Sequence, residues 1–187
     1  AVSAVKMRKG QERALSSRAY AAAALSVLER LAGTADVARH PLLTERTGKT
    51  CIIIVTSDKG LAGSLNSGVI RKVEQELSKQ NLDKTNTVLI AIGRRGGDYF
   101  AARGYQLMLK QENVSDSISE QEINVVTRSL LVSHGIREIN KCFIAYQNFI
   151  STFEQQPTVR QIVPIKPEMM RETVAGIRPA RGKYAPQ

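Results

Sequence analysis

Three short runs of consecutive apolar residues, Cys51 to Val55, Val88 to Ile92 and Cys142 to Tyr146, punctuate a chain that elsewhere follows helical spacing. Runs of that length without polar alternation belong to strands covered on both faces, as in the centre of a parallel sheet. Between the first two, Leu65, Val69, Ile70, Val73 and Leu77 recur at the spacing of one helix face. A further helix is marked at its start by Ser119 and Glu122, which form a capping box. Its expected apolar face is Ile123, Val126, Leu130 and Leu131, and Gly135 follows its end.

Weaker signals fill the gaps. Gly93-Arg94-Arg95-Gly96-Gly97 reads as a turn, followed by a short helix from Asp98 to Arg103 and a strand near Gln106 to Leu109. Thr158 to Ile165 reads as a last strand, with Gln155-Gln156-Pro157 in the turn before it. So short a connection requires an antiparallel pairing, because a parallel return needs a dozen or more residues. The fold class is therefore α/β: a mainly parallel, Rossmann-like three-layer sheet domain with an antiparallel edge strand.

Before the sheet, Ala1 to Ala32 holds no proline and is rich in Ala, Leu, Arg, Lys and Glu, which predicts one long helix closed by Gly33. A heptad reading places Met7, Gly10, Ala14, Ser17, Ala21, Ala24, Leu28 and Leu31 on one seam. Residues so small bury little area, so the helix calls for a long partner, as half of an antiparallel coiled coil would. The expected divisions are a shaft helix over 1–33, a connector over 34–50 in which His40-Pro41 breaks any helix, the α/β domain over 51–165 and a basic irregular tail over 166–187. Within that tail, a short helix near Pro167 to Ala175 is the most that the pattern allows.

Lys and Arg outnumber Asp and Glu by 27 to 17, which favours an acidic partner: nucleic acid, an anionic membrane surface or an acidic protein. Lys6, Arg8, Lys9, Arg13 and Arg18 crowd the first half of the long helix, opposed only by Glu12. The two cysteines, Cys51 and Cys142, lie inside apolar runs and read as buried free thiols in a reducing compartment. No apolar run approaches the roughly 18 residues that cross a bilayer.

The stretch Ser57-Asp58-Lys59-Gly60-Leu61-Ala62-Gly63-Ser64-Leu65-Asn66 joins the first strand to the next helix, where nucleotide-binding folds cradle phosphate. Glycines at 60, 63 and 68 do not give the dinucleotide spacing, and Asp58 sets a negative charge where pyrophosphate would lie. Gly48-Lys49-Thr50 imitates the end of a P-loop, yet Leu43 occupies the earlier glycine position and the segment precedes its strand. His40 and His134 belong to no metal-ligand spacing, and Ser57 with Asp58 lacks a nucleophile elbow. The residues thus point to no catalytic, cofactor or metal site, and the scattered basic residues with few aromatics fit no nucleic-acid module. A stand-alone nucleotide-binding α/β domain is the alternative reading.

Several segments together resemble the gamma-subunit family of the F-type ATP synthase. They are Ala4-Val5-Lys6-Met7-Arg8-Lys9, His40-Pro41-Leu42-Leu43, Thr56 to Asn66, Gly93 to Tyr105 and Phe143 to Phe149, in that order. The likeness runs from about residue 1 to 165, and its Leu-Ala-Gly and His-Pro-Leu-Leu variants resemble bacterial members. It implies a non-catalytic rotor shaft that turns with the c ring, couples proton or sodium flow to ATP synthesis and hydrolysis at the beta subunits, and meets the alpha, beta and epsilon subunits. It further implies no cofactor on this chain and no nucleic-acid partner. The implied place is peripheral, on the cytoplasmic face of the bacterial plasma membrane or the matrix side of the mitochondrial inner membrane. The subunit contacts it implies are Lys6, Arg8, Lys9 and Arg13 on the helix, and Ser57, Asp58, Lys59, Leu61, Ala62 and Asn66 on the turn. It also implies an upstream extension of the first helix and a long C-terminal helix, both outside this sequence.

Overall fold

A computed structural model describes residues 2–32, 34, 39–114, 118–135 and 137–177. Gly33 and the tail over 178–187 lie outside the described residues. The element order is α1 (Val2–Ala32), β1 (Lys49–Val55), α2 (Leu65–Lys79), β2 (Thr87–Ile92), α3 (Arg94–Ala101), β3 (Gln106–Gln111), α4 (Glu120–Gly135), β4 (Ile139–Phe149), β5 (Gln155–Val163) and α5 (Pro167–Ile177).

The five strands form one sheet in the order β3-β2-β1-β4-β5. All pairings are parallel except β4 with β5. Stepping outward from β1 through β2 to β3 puts α2 and α3 on one face, and the return to β4 carries α4 to the other, as right-handed crossovers demand. The alternation of β1 shows why its run is apolar throughout. Ile52 and Ile54 join Val69, Val73, Leu77 and Phe100 beneath α2 and α3. Cys51 and Ile53 join Val126, Leu130 and Ile139 beneath α4. Each fully buried aliphatic side chain contributes about 1.5–3 kcal/mol, so the two layers account for most of the domain's stability.

The two thiols are free and buried, and Cys51 lies opposite Cys142 in the β1–β4 register. Burial pushes the Cys142 thiol pKa well up, and a hydrogen bond with Cys51 adds to the shift. His134, also buried, ties three segments together, with Nδ1 at 3.1 Å from the Ile139 carbonyl and Nε2 at 2.9 Å from that of Pro41. The capping box forms as read: Ser119 N–H donates to Glu122 Oε2 at 2.6 Å, and Glu122 N–H returns to Ser119 Oγ at 3.2 Å.

Several expectations are corrected. The glycine run is the first turn of α3, not a turn before it. A Cβ at Gly96 would lie 2.9 Å from Ile54 Cδ1, and one at Gly97 would lie 3.0 Å from Ala91 Cβ, so glycine lets this helix sit directly on the sheet. Pro157 pairs with Gln147 inside β5, because proline is tolerated on an edge strand; the tight turn spans 150–154 instead. The covered face of α4 is Val126, Leu130, Ser133 and His134, leaving Ile123 and Leu131 exposed.

The largest correction concerns α1. Ala14, Ala21 and Ala24 of the expected seam lie on its less exposed side with Gln11, Leu15, Arg18, Ala22, Leu25 and Glu29, whereas Met7, Gly10, Ser17, Leu28 and Leu31 are exposed. The inward face is therefore turned only partway from the expected seam, toward Leu15, Arg18, Ala22 and Glu29. The cause lies in the groups it meets. Arg18 donates to the Phe149 carbonyl, and Glu29 pairs with Arg171 of α5 at 2.5 Å. The short helix allowed near Pro167 to Ala175 forms as Pro167–Ile177, two residues longer, and packs on α1.

Candidate functional site

The turn after β1 is built by side-chain struts. Ser57 N–H donates to Asn66 Oδ1 at 2.9 Å, Asn66 Nδ2 donates to Ser57 Oγ at 2.8 Å, and Ser57 Oγ donates to the Lys59 carbonyl at 2.6 Å. At the carboxyl ends of β1 and β2 the same turn caps α3. Arg94 N–H donates to Asp58 Oδ1 at 2.9 Å, Arg95 N–H to the Ser57 carbonyl at 3.1 Å and Gly96 N–H to Thr56 Oγ1 at 2.9 Å.

Two consequences follow for function. The free amides at the start of α3, the natural seat for a phosphate, are already taken by a carboxylate, a carbonyl and a hydroxyl. Moreover, Asp58 does not project outward as expected but turns in to close the α3 terminus, where a negative charge suits the helix dipole. Ser57 and Asn66 likewise serve as struts.

What projects from the turn is Lys59 and Leu61. Lys59 is exposed and makes no ion pair among the described residues. Leu61 is fully exposed at φ +58°, a left-handed conformation that costs a non-glycine residue about 1–3 kcal/mol. Ala62 is half-buried beside it.

Sequence reasoning missed the neighbours of this turn. Arg71 and Arg95 line a cleft of about 680 Å³ together with Gly60 to Gly63 and Tyr99. A Cβ at Gly60 would overlap the Arg95 guanidinium, so the glycine admits it. Tyr99 donates to Glu74 at 2.6 Å, which raises its phenol pKa, and Arg103 stacks 3.4 Å over its ring. The acids nearby are spoken for. Asp98 bonds Lys110 at 2.7 Å, and that hydrogen bond draws its carboxyl pKa down; Lys110 does the same for Glu112. Arg71 and Arg95 pair with no carboxylate among the described residues, although Glu74 and Asp98 line the same cleft. Only the adjacency of the β1 and β2 ends brings Arg95 to Gly60, and no local pattern carries that information.

The α1 candidates stand apart from the turn in sequence but share its character. Lys6, Arg8, Lys9 and Arg13 are all exposed. Arg8 pairs with Glu12 at 3.0 Å across one helical turn, a solvated pair of little energetic weight. Among the described residues no group of three His, Cys, Asp or Glu could hold a metal ion, and no helix is long and apolar enough to cross a membrane.

A family model described as ATP synthase matches residues 1–185. The chain is similar to the ATP synthase gamma chain of Pelotomaculum thermopropionicum, 34% identical over 168 residues, covering 89% of this chain and 58% of that one. It is also similar to the ATP synthase gamma chain of Brevibacillus brevis, 31% identical over 166 residues, covering 88% and 58%. The chain therefore spans a little over half the length of these curated relatives. Its fold matches a chain in a solved structure of the Tetrahymena thermophila mitochondrial ATP synthase central stalk and c ring, with TM-score 0.68 at 20% identity over 97% of this chain and 76% of that one. With a strutted turn, a basic helix and a family match along almost its whole length, the chain belongs to the ATP synthase family, among its gamma chains.

Proposed function

We propose that this chain is part of the central-stalk gamma subunit, a rotating shaft that couples ion flow through a c ring to ATP synthesis and hydrolysis in a head of alpha and beta subunits. The observation that carries the reading is α1. Its 31 residues extend about 46 Å, and over residues 4–10 every side chain is exposed, Val5 and Met7 included. Most helical stability in proteins comes from packing of an apolar face, and α1 leaves Val5, Met7, Leu28 and Leu31 exposed, which suits completion by other chains. Its uncovered seam of Met7, Gly10, Ser17, Leu28 and Leu31 suits a long partner helix at close approach.

The contacts in this reading are Lys6, Arg8, Lys9 and Arg13 on the shaft, with Lys59, Leu61 and Ala62 on the turn; Ser57, Asp58 and Asn66 act by holding the turn in shape. Exposed lysine and arginine suit a contact that must slide past acidic surfaces, because a desolvated ion pair would hold the rotor at one angle. The chain itself supplies no catalytic group and no cofactor in this reading. It meets the alpha, beta and epsilon subunits and the c ring, and reaches the membrane only through them, on the cytoplasmic or matrix side.

Mixing the full-length protein with purified alpha and beta subunits tests this. Co-elution as one hexamer-sized or larger species with ATPase activity is expected. Elution of the chain apart from an intact alpha–beta head would contradict the assignment.

A further inference from the structure

The chain holds two cysteines, and the sheet brings them together. Cys51 on β1 and Cys142 on β4 are register partners in neighbouring parallel strands, both wholly buried and both in the layer beneath α4. That layer is otherwise aliphatic, built from Val88, Ile90, Val126, Leu130 and Ile139. No third ligand stands beside the pair. His134, buried on the covered face of α4, has both ring nitrogens engaged by the Ile139 and Pro41 carbonyls, and among the described residues no three His, Cys, Asp or Glu side chains gather. A way in exists at the carboxyl ends of the strands, where a cavity of about 860 Å³ is lined by Ile53 and Ile144. These are the next residues after Cys51 and Cys142 on the same face of each strand.

We propose that Cys51 and Cys142 form a two-coordinate site for a soft divalent metal ion of the mercuric type. Neighbouring strands lie about 4.8 Å apart, and two in-line metal–thiolate bonds of about 2.3 Å, the length found with zinc, span about 4.6 Å. The ion therefore fits between the sulfurs with both strands left in place. A disulfide fits less well, because it draws the two Cβ atoms to about 3.8 Å, which the backbone ladder at the centre of the sheet resists. Charge decides which ion is taken. Two thiolates on a divalent ion give a neutral product that an apolar layer accepts, whereas a monovalent ion with two thiolates would leave a negative charge buried there. Zinc requires four ligands, and only two are offered. Thiolate sulfur selects soft metals. In the binding step two metal–sulfur bonds form as two S–H bonds break, both protons leave to solvent, and nothing is oxidised or reduced.

Dialysis of the purified chain against mercuric chloride with free cysteine in excess tests the site, since the free thiols compete for the ion singly. One equivalent should be retained with the native circular dichroism spectrum, and X-ray absorption should show two sulfur neighbours at about 2.3 Å and no nitrogen or oxygen. Cys142→Ala should lower retention about 100-fold or more, because one thiol alone loses the advantage of two held side by side. Cys51→Ala serves where Cys142→Ala does not fold. Two equivalents per chain, a third protein ligand, unaltered retention in a folded alanine variant, or no retention at all would each overturn the proposal. Uptake that occurs only with loss of the native spectrum would overturn it too, because the register of β1 and β4 is what makes the site.

Discussion

Replacing Gly93 with alanine should cost more than about 4 kcal/mol and leave little folded protein, although the change adds a single methyl group. Gly93 sits between β2 and α3 at φ +91°. A Cβ there would overlap the Thr56 carbonyl oxygen and lie 2.6 Å from its carbon. That carbonyl belongs to the backbone that leaves β1 for the turn, so it cannot swing aside without breaking the link between the ends of β1 and β2. Thr56 N–H donates to the Ile92 carbonyl at 2.8 Å, and Gly93 N–H to that of Gln111 at 2.8 Å. Gly63→Ala is the internal control. Gly63 also has positive φ, at +56°, but a Cβ there meets nothing within 4 Å. Its substitution should cost only the left-handed penalty, about 1–2 kcal/mol. Urea unfolding of the two variants separates strain from collision; equal and small shifts in both would show that the Thr56 and Gly93 backbones do not lie in contact.

The second large effect concerns charge. Combined reversal by Arg8→Glu, Lys9→Glu and Lys59→Glu should lower coupled ATP synthesis in the assembled complex by roughly tenfold or more, since each places like charges together against an acidic surface. The isolated chain should melt as before, to within about 0.5 kcal/mol, because these side chains are exposed and the Arg8–Glu12 pair contributes little. Unchanged synthesis in a complex of normal composition would remove these residues from the contact surface.

The parts of the fold that were legible in the sequence are those fixed by local pattern. Cys51 to Val55 and Val88 to Ile92 had to be buried on both faces whatever surrounded them, and Ser119 with Glu122 signals its own helix start. The parts that escaped depend on groups distant in the chain. Glycines 96 and 97 read as a turn because their helical role comes from the closeness of Ile54 and Ala91. Asp58 read as outward because the amide it accepts from lies 36 residues later. The α1 seam was placed only in part, at Ala14, Ala21 and Ala24, because Arg18 and Glu29 find partners 131 and 142 residues away, which no heptad can anticipate. For the candidate site the turn itself was visible from its glycines, whereas Arg95 became part of it only through the parallel crossover.

Rotation tests the central claim most directly. Cys51 and Cys142 are buried, so Lys84→Cys, in the exposed loop between α2 and β2, supplies a thiol that maleimide probes can reach selectively. With the alpha–beta head of the full complex fixed to a surface and a bead on residue 84, ATP should drive the bead in one direction for as long as hydrolysis continues. A bead that stays still while the same molecules hydrolyse ATP would contradict the assignment of this chain to the rotor.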